Sequence, residues 1–241
     1  FADLYELTMG QAYRRSGRDG QDTFTLFFRG YPPDRGYFVL AGVAEALDYL
    51  EGFAFADEDV SYLRSTGKFE AAFLDYLGGV RFTGSVRAMP EGMVFFADEP
   101  VIEVTAPVIE GQLVETALLN LVNLNTVLAT KALRVVHAAC GRALVDFAAR
   151  RTHGREASNA LARVSYMAGF AGTSNVLAGG LHGIPTFGTM AHSFIETFDT
   201  EAEAFDAYAE SFPDTTTLLV DTYDTVEGVR RAIEVAARMR R

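Results

Sequence analysis

The alternation of strand-like and helical segments in the second half of the chain restricts the possible folds more than any other feature. Strand-like runs occur there at 143–151, 184–190 and 215–224. Helical patterns separate and follow them, at 156–169, 173–183, 200–212 and 225–239. This order is typical of βαβ units, which build a parallel sheet or a barrel. A closed (β/α) barrel needs about eight strands, and this half supplies about three or four, so we predict an incomplete barrel.

The first half of the chain has a different rhythm, with helices separated by short strands. Helical patterns lie at 4–17, 57–67 and 70–79 and within 37–53, strand patterns at 22–30 and within 80–108, and a long helical run at about 110–139. We therefore predict an α/β protein with three parts. They are an N-terminal helical segment (1–17), a smaller α/β domain (18–108) and the first part of a barrel domain (109–241).

Composition and charge exclude several classes of protein. The 241 residues are 49% hydrophobic, which is enough for a sizeable core, and the net charge is −11. A general nucleic-acid surface is not expected, because phosphate backbones need a basic face. The most apolar stretch, 114–139, is interrupted by charged and amide side chains, so we predict a buried helix and no membrane span.

The N-terminal sequence and the cysteine content indicate a cytoplasmic protein. The opening residues lack the pattern of a secretory signal peptide. Cys140 is the single cysteine, which excludes a disulfide within the chain and fits a reducing compartment. Because Cys140 follows an apolar helical run, we expect it to be buried as a small hydrophobic residue.

Polar side chains follow the first two barrel segments. Arg150 and Arg151 come directly after a strand-like run, and paired arginines bind carboxylate or phosphate groups. Ser174 or Thr173 is placed to cap the next helix, where hydroxyl and backbone N–H groups together suit an anion. The alternatives left open are a solvated basic loop and a simple helix cap.

The last two strand-like runs carry a histidine and two aspartates. In "FGTMAHSF" (187–194), the end of the strand places His192 near the barrel mouth, where it would act as a base or as a nucleophile that accepts a phosphoryl group. In "LLVDTYDT" (218–225), Asp221 and Asp224 suit Mg²⁺ or sugar hydroxyls. A structural role for His192, and capping of the last helix by Asp224 or Thr225, are the alternatives. The four strand ends together describe a pocket for a phosphorylated sugar and a small anion.

These motifs resemble the nicotinate phosphoribosyltransferase family over nearly the whole chain. The resemblance rests on motifs that occur in the same order, among them "DLYELTMGQAY", "FFRG", "YLRSTGKF", "VRFTGSV", "PEGMVFFADEP", "LLNLVNLNTVLATKA", "DFAARR", "GTSNVLAG", "GTMAHSF" and "LLVDTYDT". It implies the type II phosphoribosyltransferase fold, an α/β barrel with a smaller α/β domain. It also implies a head-to-tail homodimer in which two subunits share each active site.

The resemblance further implies a reaction of NAD salvage. Nicotinate and phosphoribosyl pyrophosphate would give nicotinate mononucleotide and pyrophosphate, with coupled hydrolysis of ATP and with Mg²⁺ present. By the same resemblance, His192 matches the histidine that ATP phosphorylates, and Asp221 matches an acid near the ribose and the metal. Thr189 and Ser193, on either side of His192, are grouped with the substrate-binding residues.

The substrate ring would be held by aromatic and cationic side chains. Phe147 matches an aromatic that stacks on the pyridine ring, and Tyr5 matches the other half of that sandwich, donated by the neighbouring subunit. Arg150 and Arg151 match arginines near the phosphate and carboxylate groups. Offset stacking adds about 0.5–1.5 kcal/mol beyond the burial of the rings.

Ser174 distinguishes between two related substrates. The similar nicotinamide phosphoribosyltransferases carry aspartate at this position, which accepts a hydrogen bond from an amide and repels a carboxylate. A serine hydroxyl donates to a carboxylate. We therefore expect the acid, nicotinate, and Ser174 argues against the alternative of a nicotinamide phosphoribosyltransferase.

The sequence departs from the family pattern in three respects. Ala148 stands where the family usually has glycine, and Ala2 stands where threonine usually precedes Asp3. A later acidic motif and a glycine-rich phosphate loop of the family are not in these 241 residues. The chain therefore resembles the N-terminal half to two-thirds of an enzyme. The remaining alternative is a truncated or degenerate chain of the same fold without catalysis.

Overall fold

The computed structural model describes residues 1–239 and divides the chain into two compact units, Phe1–Pro185 and the part from Thr186 onward. The helices of the first unit are α1 Leu4–Arg15, α2 Val43–Glu51, α3 Asp57–Ser65, α4 Ala71–Gly79, α5 Val108–Leu113, α6 Glu115–Ala138, α7 Arg155–Met167 and α8 Val176–His182. Its strands are β1 Gln21–Leu26, β2 Phe38–Val39, β3 Ser85–Ala88, β4 Val94–Phe95, β5 Ile102–Pro107, β6 Val145–Asp146 and β7 Gly172–Thr173. The second unit contains α9 His192–Ile195, α10 Glu201–Ser211 and α11 Thr225–Met239.

The largest sheet is antiparallel, with the strand order β1-β5-β3. β1 and β5 pair along six residues each, from Gln21 opposite Pro107 to Leu26 opposite Ile102. Burial alternates along β5, and Ile102, Val104 and Ala106 face the core. This period of two is the one expected for a strand that is covered on one face only.

The core of the first unit lies between this sheet and the helices α2, α4, α5 and α6. Its largest fully buried side chains are Phe38, Leu40, Phe73, Leu74, Leu77, Phe95 and Leu113. The rings of Phe38 and Phe95 stack with their centroids 5.3 Å apart. Each such side chain contributes about 1.5–3 kcal/mol when it leaves water, so the core is a major favourable term in the folding of this unit.

Helix α6 supports the short strand β2 with side-chain hydroxyls. The Thr130 hydroxyl accepts from the backbone N–H of Val39 at 2.9 Å, and the Thr126 hydroxyl accepts from that of Ala41 at 3.2 Å. Both threonines are buried. These bonds satisfy backbone groups that a two-residue strand cannot pair through a longer ladder, because buried N–H groups need a partner.

A half-buried ionic cluster joins α2 to α7. Glu91 accepts from the backbone N–H groups of Gly42 and Val43 at 2.6 and 3.0 Å, at the start of α2. Arg163 on α7 pairs with Glu91 at 2.5 Å and with Glu45 at 3.3 Å. Burial acts to raise the pKa of the Glu91 carboxyl, but the hydrogen bonds and charge of Arg163, together with the backbone donors, outweigh burial and hold the pKa below its ordinary value.

The second unit packs α10 and α11 around a small core that contains Phe205, Ile195 and Val235. Glu201, which is 2% exposed, pairs with Arg231 across these two helices at 2.7 Å. Gly228 of α11 lies against the backbone of Val220, where an added Cβ would come within 2.1 Å of the carbonyl oxygen. The helix therefore contacts the extended chain at a position that has no room for a side chain.

The fold class agrees with the prediction of an incomplete barrel, but two of its predicted strands are not part of a sheet. β6 and β7 form a parallel pair. The segment 184–190 contains a single bridging residue, Thr186, and 215–224 has no strand assignment. The apolar pattern identifies an extended chain, but it does not supply the neighbouring strand that backbone pairing requires.

Three local expectations are also corrected. Cys140 is exposed, because α6 has already ended and Cys140 and Gly141 turn the chain with positive φ values of 49° and 82°. The long helical run is divided at Val114 into α5 and α6.

The cap of α8 is Asn175, rather than Thr173 or Ser174, because the Asn175 side chain accepts from the N–H of Ala178. In contrast, Asp224 does cap α11, as one alternative proposed.

Within residues 1–239, no helix combines the length and the apolar character that crossing a membrane requires.

Candidate active site

The carboxyl ends of β6 and β7 bring together two of the segments that the sequence singled out. In this parallel pair, Val145 lies opposite Gly172 and Asp146 opposite Thr173. Phe147 and Ser174 are the next residues on the two chains, and neighbouring strands are about 4.8 Å apart. The backbone N–H of Ser174 donates to the carbonyl of Asp146 at 2.7 Å, which continues the pairing by one residue.

Asp146 organises the turn that follows β6. This side chain is 5% exposed. One carboxylate oxygen accepts from the backbone N–H of Ala148 at 2.9 Å, and the other accepts from the Thr173 hydroxyl at 2.8 Å. A buried carboxylate requires such partners, and here they belong to both strand ends.

The turn after Asp146 presents an aromatic ring and two cations to solvent. Phe147 is 49% exposed, although large aromatic side chains usually contribute to a core. Arg150 and Arg151 form a 3-10 turn with Ala149, and neither makes an ion pair with residues 1–239. Ala148 has φ −87° and ψ −5°, a conformation that any residue adopts, so alanine in place of the family's glycine causes no strain here.

Ser174 retains a free hydroxyl. It is partly buried, and its side chain makes no hydrogen bond within the described part of the chain. Asn175 takes the capping role, and its amide also donates to Ser158 and Asn159 on α7 at 3.2 and 2.9 Å. The Ser174 hydroxyl is thus available to a ligand, at the strand end next to that of Phe147.

Tyr5 lies at another place in the same unit. It is 43% exposed and contributes to a groove of about 480 Å³ between α1, the end of β1 and the start of α6, whose other walls include Phe27, Arg29, Thr116 and Leu119. Partial burial raises the pKa of the Tyr5 phenol, a contact with Thr116 opposes the rise, and the carboxylates of Glu115 and Glu6 add to it. Tyr5 is therefore a neutral ring in an open groove.

Glu6 fixes the helix that carries Tyr5. This carboxylate is fully buried, and it accepts from the backbone N–H groups of Asp3 at 3.0 Å and of Thr116 at 2.7 Å. Burial raises the pKa of Glu6, while the hydrogen bonds from Thr116 and Asp3 oppose the rise. Through these bonds α1 is held against the first turn of α6.

In the second unit, His192 begins the short helix α9 and is exposed. Its Nδ1 lies 3.2 Å from the Thr222 hydroxyl, in the segment that also contains Asp221. The Thr189 hydroxyl donates to the carbonyl of Thr217 at 2.6 Å. These two contacts hold the histidine loop beside the extended segment, so Thr189, His192 and Asp221 share one region, with exposed Ser193 next to the histidine.

The residues present fit Mg²⁺ only if a substrate also supplies oxygen ligands. Among residues 1–239, no group of three or more His, Cys, Asp or Glu side chains has the arrangement of a metal site. Asp224 is occupied at the cap of α11, where it accepts from Val226 and Glu227. Exposed Asp221 remains, and one carboxylate plus substrate phosphates is a common way to bind Mg²⁺.

Three polar residues that organise these segments have roles that were not predicted from the sequence, where Thr173 was considered only as a helix cap. Asp146 and Thr173 join the two strand ends, and Thr222 contacts the histidine. An aspartate at the end of an apolar strand was a usable signal for the first. Nothing in the spacing identifies the other two, because hydroxyl side chains of this kind are common in turns.

Comparison with known proteins places the chain in a family. The model of the nicotinate phosphoribosyltransferase N-terminal domain matches residues 1–123. The chain belongs to the nicotinate phosphoribosyltransferase family. This finding confirms the resemblance that the sequence motifs indicated.

Relatives of this family match along almost the whole chain. A nicotinate phosphoribosyltransferase of Mycobacterium tuberculosis is 55% identical over 239 residues, covering 99% of this chain, and one of Bacillus subtilis is 44% identical over 236 residues, covering 97%. The chain spans 51% and 48% of their lengths. It is therefore equivalent to about half of these curated relatives.

Two solved structures have a similar architecture. The crystal structure of human nicotinic acid phosphoribosyltransferase matches 98% of this chain with a TM-score of 0.88 at 29% identity, and the match covers 58% of the human chain. A nicotinate-nucleotide pyrophosphorylase from Pyrococcus furiosus gives a TM-score of 0.81 at 25% identity. The α/β architecture matches part of these phosphoribosyltransferase structures, and the barrel of this chain is not closed.

Proposed function

We propose that this chain is part of a nicotinate phosphoribosyltransferase that forms nicotinate mononucleotide and pyrophosphate from nicotinate and phosphoribosyl pyrophosphate. The observation that carries the proposal is the membership of the family together with the strand ends of β6 and β7. There, on adjacent turns, lie an exposed aromatic ring, two arginines and a serine hydroxyl, and within residues 1–239 the arginines have no ion pair and the hydroxyl has no hydrogen bond. These groups suit an aromatic ring that bears a carboxylate.

The chemistry requires positioning more than proton transfer. The pyridine nitrogen of nicotinate has a free lone pair, which attacks the anomeric carbon as the bond to pyrophosphate breaks. Phe147 would stack on the ring, Arg150 and Arg151 would bind the carboxylate and phosphate groups, and Ser174 would donate to the carboxylate. Orientation of this kind accounts for much of the rate of such reactions.

We further propose that His192 accepts a phosphoryl group from ATP, with release of ADP, and that hydrolysis of the phosphohistidine returns the free imidazole. The exposure of His192 and the contact of its Nδ1 with Thr222 support this role. Asp221 would hold Mg²⁺ together with substrate phosphates, and a bound Mg²⁺ would supply positive charge next to the leaving pyrophosphate.

A homodimer is also part of the proposal. Tyr5 lies in an open groove with exposed apolar walls, at a place in the fold other than the β6 and β7 strand ends. We propose that it completes the ring sandwich in the site of a partner subunit. Mixing two inactive variants of the full-length protein, Tyr5→Ala and Phe147→Ala, would restore activity in mixed dimers. No restoration, with subunit exchange verified, would contradict a shared site.

The test of the main proposal is an assay of the full-length protein with nicotinate, phosphoribosyl pyrophosphate, ATP and Mg²⁺, with the mononucleotide detected by mass. A parallel sample contains nicotinamide. Product from nicotinate alone is expected. His192→Ala would remove the dependence on ATP, while His137→Ala, on exposed α6 surface, is the matched control. Absence of product from either base would reject the activity and favour the alternative of a non-catalytic chain.

Ser174 provides a test of the substrate. Ser174→Asp would raise the KM for nicotinate, because two carboxylates repel one another, and Ser174→Ala would have a smaller effect because it only removes a donor. Unchanged nicotinate kinetics in Ser174→Asp would refute the role of this residue and reopen the alternative of nicotinamide. A cytoplasmic location stays a prediction of the sequence.

A further inference from the structure

The buried pair of Asp146 and Thr173 has no part in the proposed reaction, yet it lies directly beneath the site. Asp146 is 5% exposed and Thr173 is fully buried. The Thr173 hydroxyl donates to Asp146 at 2.8 Å and accepts from the backbone N–H of Asn175 at 3.0 Å. The second oxygen of Asp146 accepts from the N–H of Ala148 at 2.9 Å.

These bonds form a continuous connection between two turns. Ala148 directly follows Phe147, and Asn175 directly follows Ser174. The hydrogen bonds therefore run from the N–H of Ala148 to the Asp146 carboxylate. They continue from that carboxylate through the Thr173 hydroxyl to the N–H of Asn175. Each donor and each acceptor in this network is satisfied, and fully satisfied buried networks hold one geometry.

The backbone alone holds only part of this geometry. The two strands pair over two residues, and one more backbone bond links Ser174 to Asp146. Pairs this short have little stability of their own. Side-chain bonds are then needed to fix how far the ring of Phe147 stands from the hydroxyl of Ser174.

We propose that Asp146 and Thr173 are positioning residues that set the distance between the ring-stacking group and the carboxylate-binding group. Asp146 and Thr173 would thus determine how well a ring with a carboxylate substituent fits between Phe147 and Ser174, although neither contacts the ring. The inference rests on the proposed function, because it assigns nicotinate to Phe147 and Ser174. It concerns the aromatic substrate and not the sugar phosphate.

The experiment uses Thr173→Val, Thr173→Ser and Asp146→Asn in the full-length protein. Valine keeps the shape of threonine and removes the hydroxyl, so one oxygen of Asp146 loses its partner. Serine keeps the hydroxyl and is the rescue variant. Thr66→Val, which removes the hydroxyl bond from Thr66 to the carbonyl of Leu63 at the end of α3, is the matched control.

The KM for nicotinate is expected to rise at least about tenfold in Thr173→Val and Asp146→Asn, because a small misplacement of binding groups has large effects on reactivity. The KM for phosphoribosyl pyrophosphate is expected to stay within about twofold, and Thr173→Ser is expected to return the nicotinate KM close to that of the unmodified protein. Amide exchange at Ala148 and Asn175 is expected to become faster in Thr173→Val and to be restored in Thr173→Ser.

Two results would overturn the inference, and they are distinguishable. If the unmodified protein uses nicotinate and Thr173→Val leaves its KM unchanged, or raises both KM values equally, the pair does not position the aromatic substrate. If the unmodified protein does not use nicotinate at all, the proposed function fails first and the inference fails with it. In that case, amide exchange at Ala148 and Asn175 shows only whether Asp146 and Thr173 connect the two turns, and not whether they position a substrate.

Discussion

The antiparallel sheet and the parallel pair of the first unit differ in length and in what surrounds them. β1 and β5 pair along six residues each and cover a core of buried aromatic and aliphatic side chains. β6 and β7 pair over two residues each, and the turns after them expose Phe147, Arg150 and Arg151. The comparison indicates that the antiparallel region contributes most of the buried core and that the parallel region exposes the side chains we propose for binding.

The largest effect is expected when one aromatic side chain is removed from each of the two regions and the losses in free energy of unfolding are compared. Phe73, 2% exposed, packs beside Phe69 and Tyr76 in the core, so Phe73→Ala is expected to lower the free energy of unfolding by about 3–5 kcal/mol. Phe147→Ala, at 49% exposure, is expected to change it by less than about 1 kcal/mol. Urea unfolding followed by far-UV circular dichroism measures both, since the chain has no tryptophan. Equal losses would remove the distinction.

A second prediction examines the tight contact in the second unit. Gly228→Ala would place a Cβ 2.1 Å from the carbonyl oxygen of Val220, and a loss of about 1–3 kcal/mol is expected because backbone must move. Gly180→Ala in α8, where a Cβ meets nothing within 4 Å, is the control, and it is expected to stabilise the helix by up to about 1 kcal/mol. Thermal unfolding of both variants compares them. A neutral Gly228→Ala would show that this helix is free to shift.

The third prediction concerns Glu91, which bonds both to the start of α2 and to Arg163 on α7. Glu91→Gln would remove the charge that pairs with Arg163 and is expected to lower the free energy of unfolding by about 1–3 kcal/mol at pH 7. Because the pKa of Glu91 is lower in the folded chain than its usual 4.5, its contribution is present above pH 4.5 and is lost as the pH falls below that value.

Unfolding measured between pH 3 and pH 7 tests the sign of this effect. The unmodified chain is expected to lose stability toward low pH more steeply than Glu91→Gln, which lacks this titration. Arg64→Gln, which breaks the exposed pair with Asp75, serves as the control and is expected to change little. Parallel pH profiles for the Glu91 variant and the unmodified chain would contradict the assignment.

The smallest effect is expected at a helix cap. Asp224→Ala would remove the oxygen that accepts from the N–H groups of Val226 and Glu227 at the start of α11, and a loss of about 1 kcal/mol is expected. Asp224→Asn keeps an acceptor and is expected to retain most of the stability. Chemical unfolding compares the two. A large loss of nicotinate use in Asp224→Asn, with stability unchanged, would instead assign this residue to the active site.

Much of the fold could be predicted from the sequence where local signals are strong. Gly17 and Gly183 end helices at the positions that the sequence predicted, and the acidic turn at 57–59 begins α3. The antiparallel strands follow from alternation and turn residues. The segments 184–190 and 215–224 have the same apolar character, but their pairing depends on which backbone lies beside them, and a single segment does not encode that.

In the candidate site, too, some residues could be predicted from the sequence and others could not. Arg150, Arg151 and His192 could be identified from the sequence, because paired arginines bind anions and a histidine after a strand-like run suits catalysis, whereas Phe147 was identified only by its match to a motif of the family. Asn175 was missed as the cap, since three consecutive residues, Thr173 to Asn175, are all good caps and only the observed backbone selects one.

The sequence by itself determined the class of fold, the family and the chemical groups available, because periodicity, turn residues and ordered motifs are local properties of the chain. Only the tertiary structure decided that Asp146 and Thr173 meet across two strands, and that Glu91 reaches both α2 and Arg163. Contacts between residues 27 and 72 positions apart depend on how the elements pack. Removal from water makes these polar contacts specific, because Asp146 is buried and Glu91 half-buried, and a carboxylate that leaves water without a partner carries a large cost.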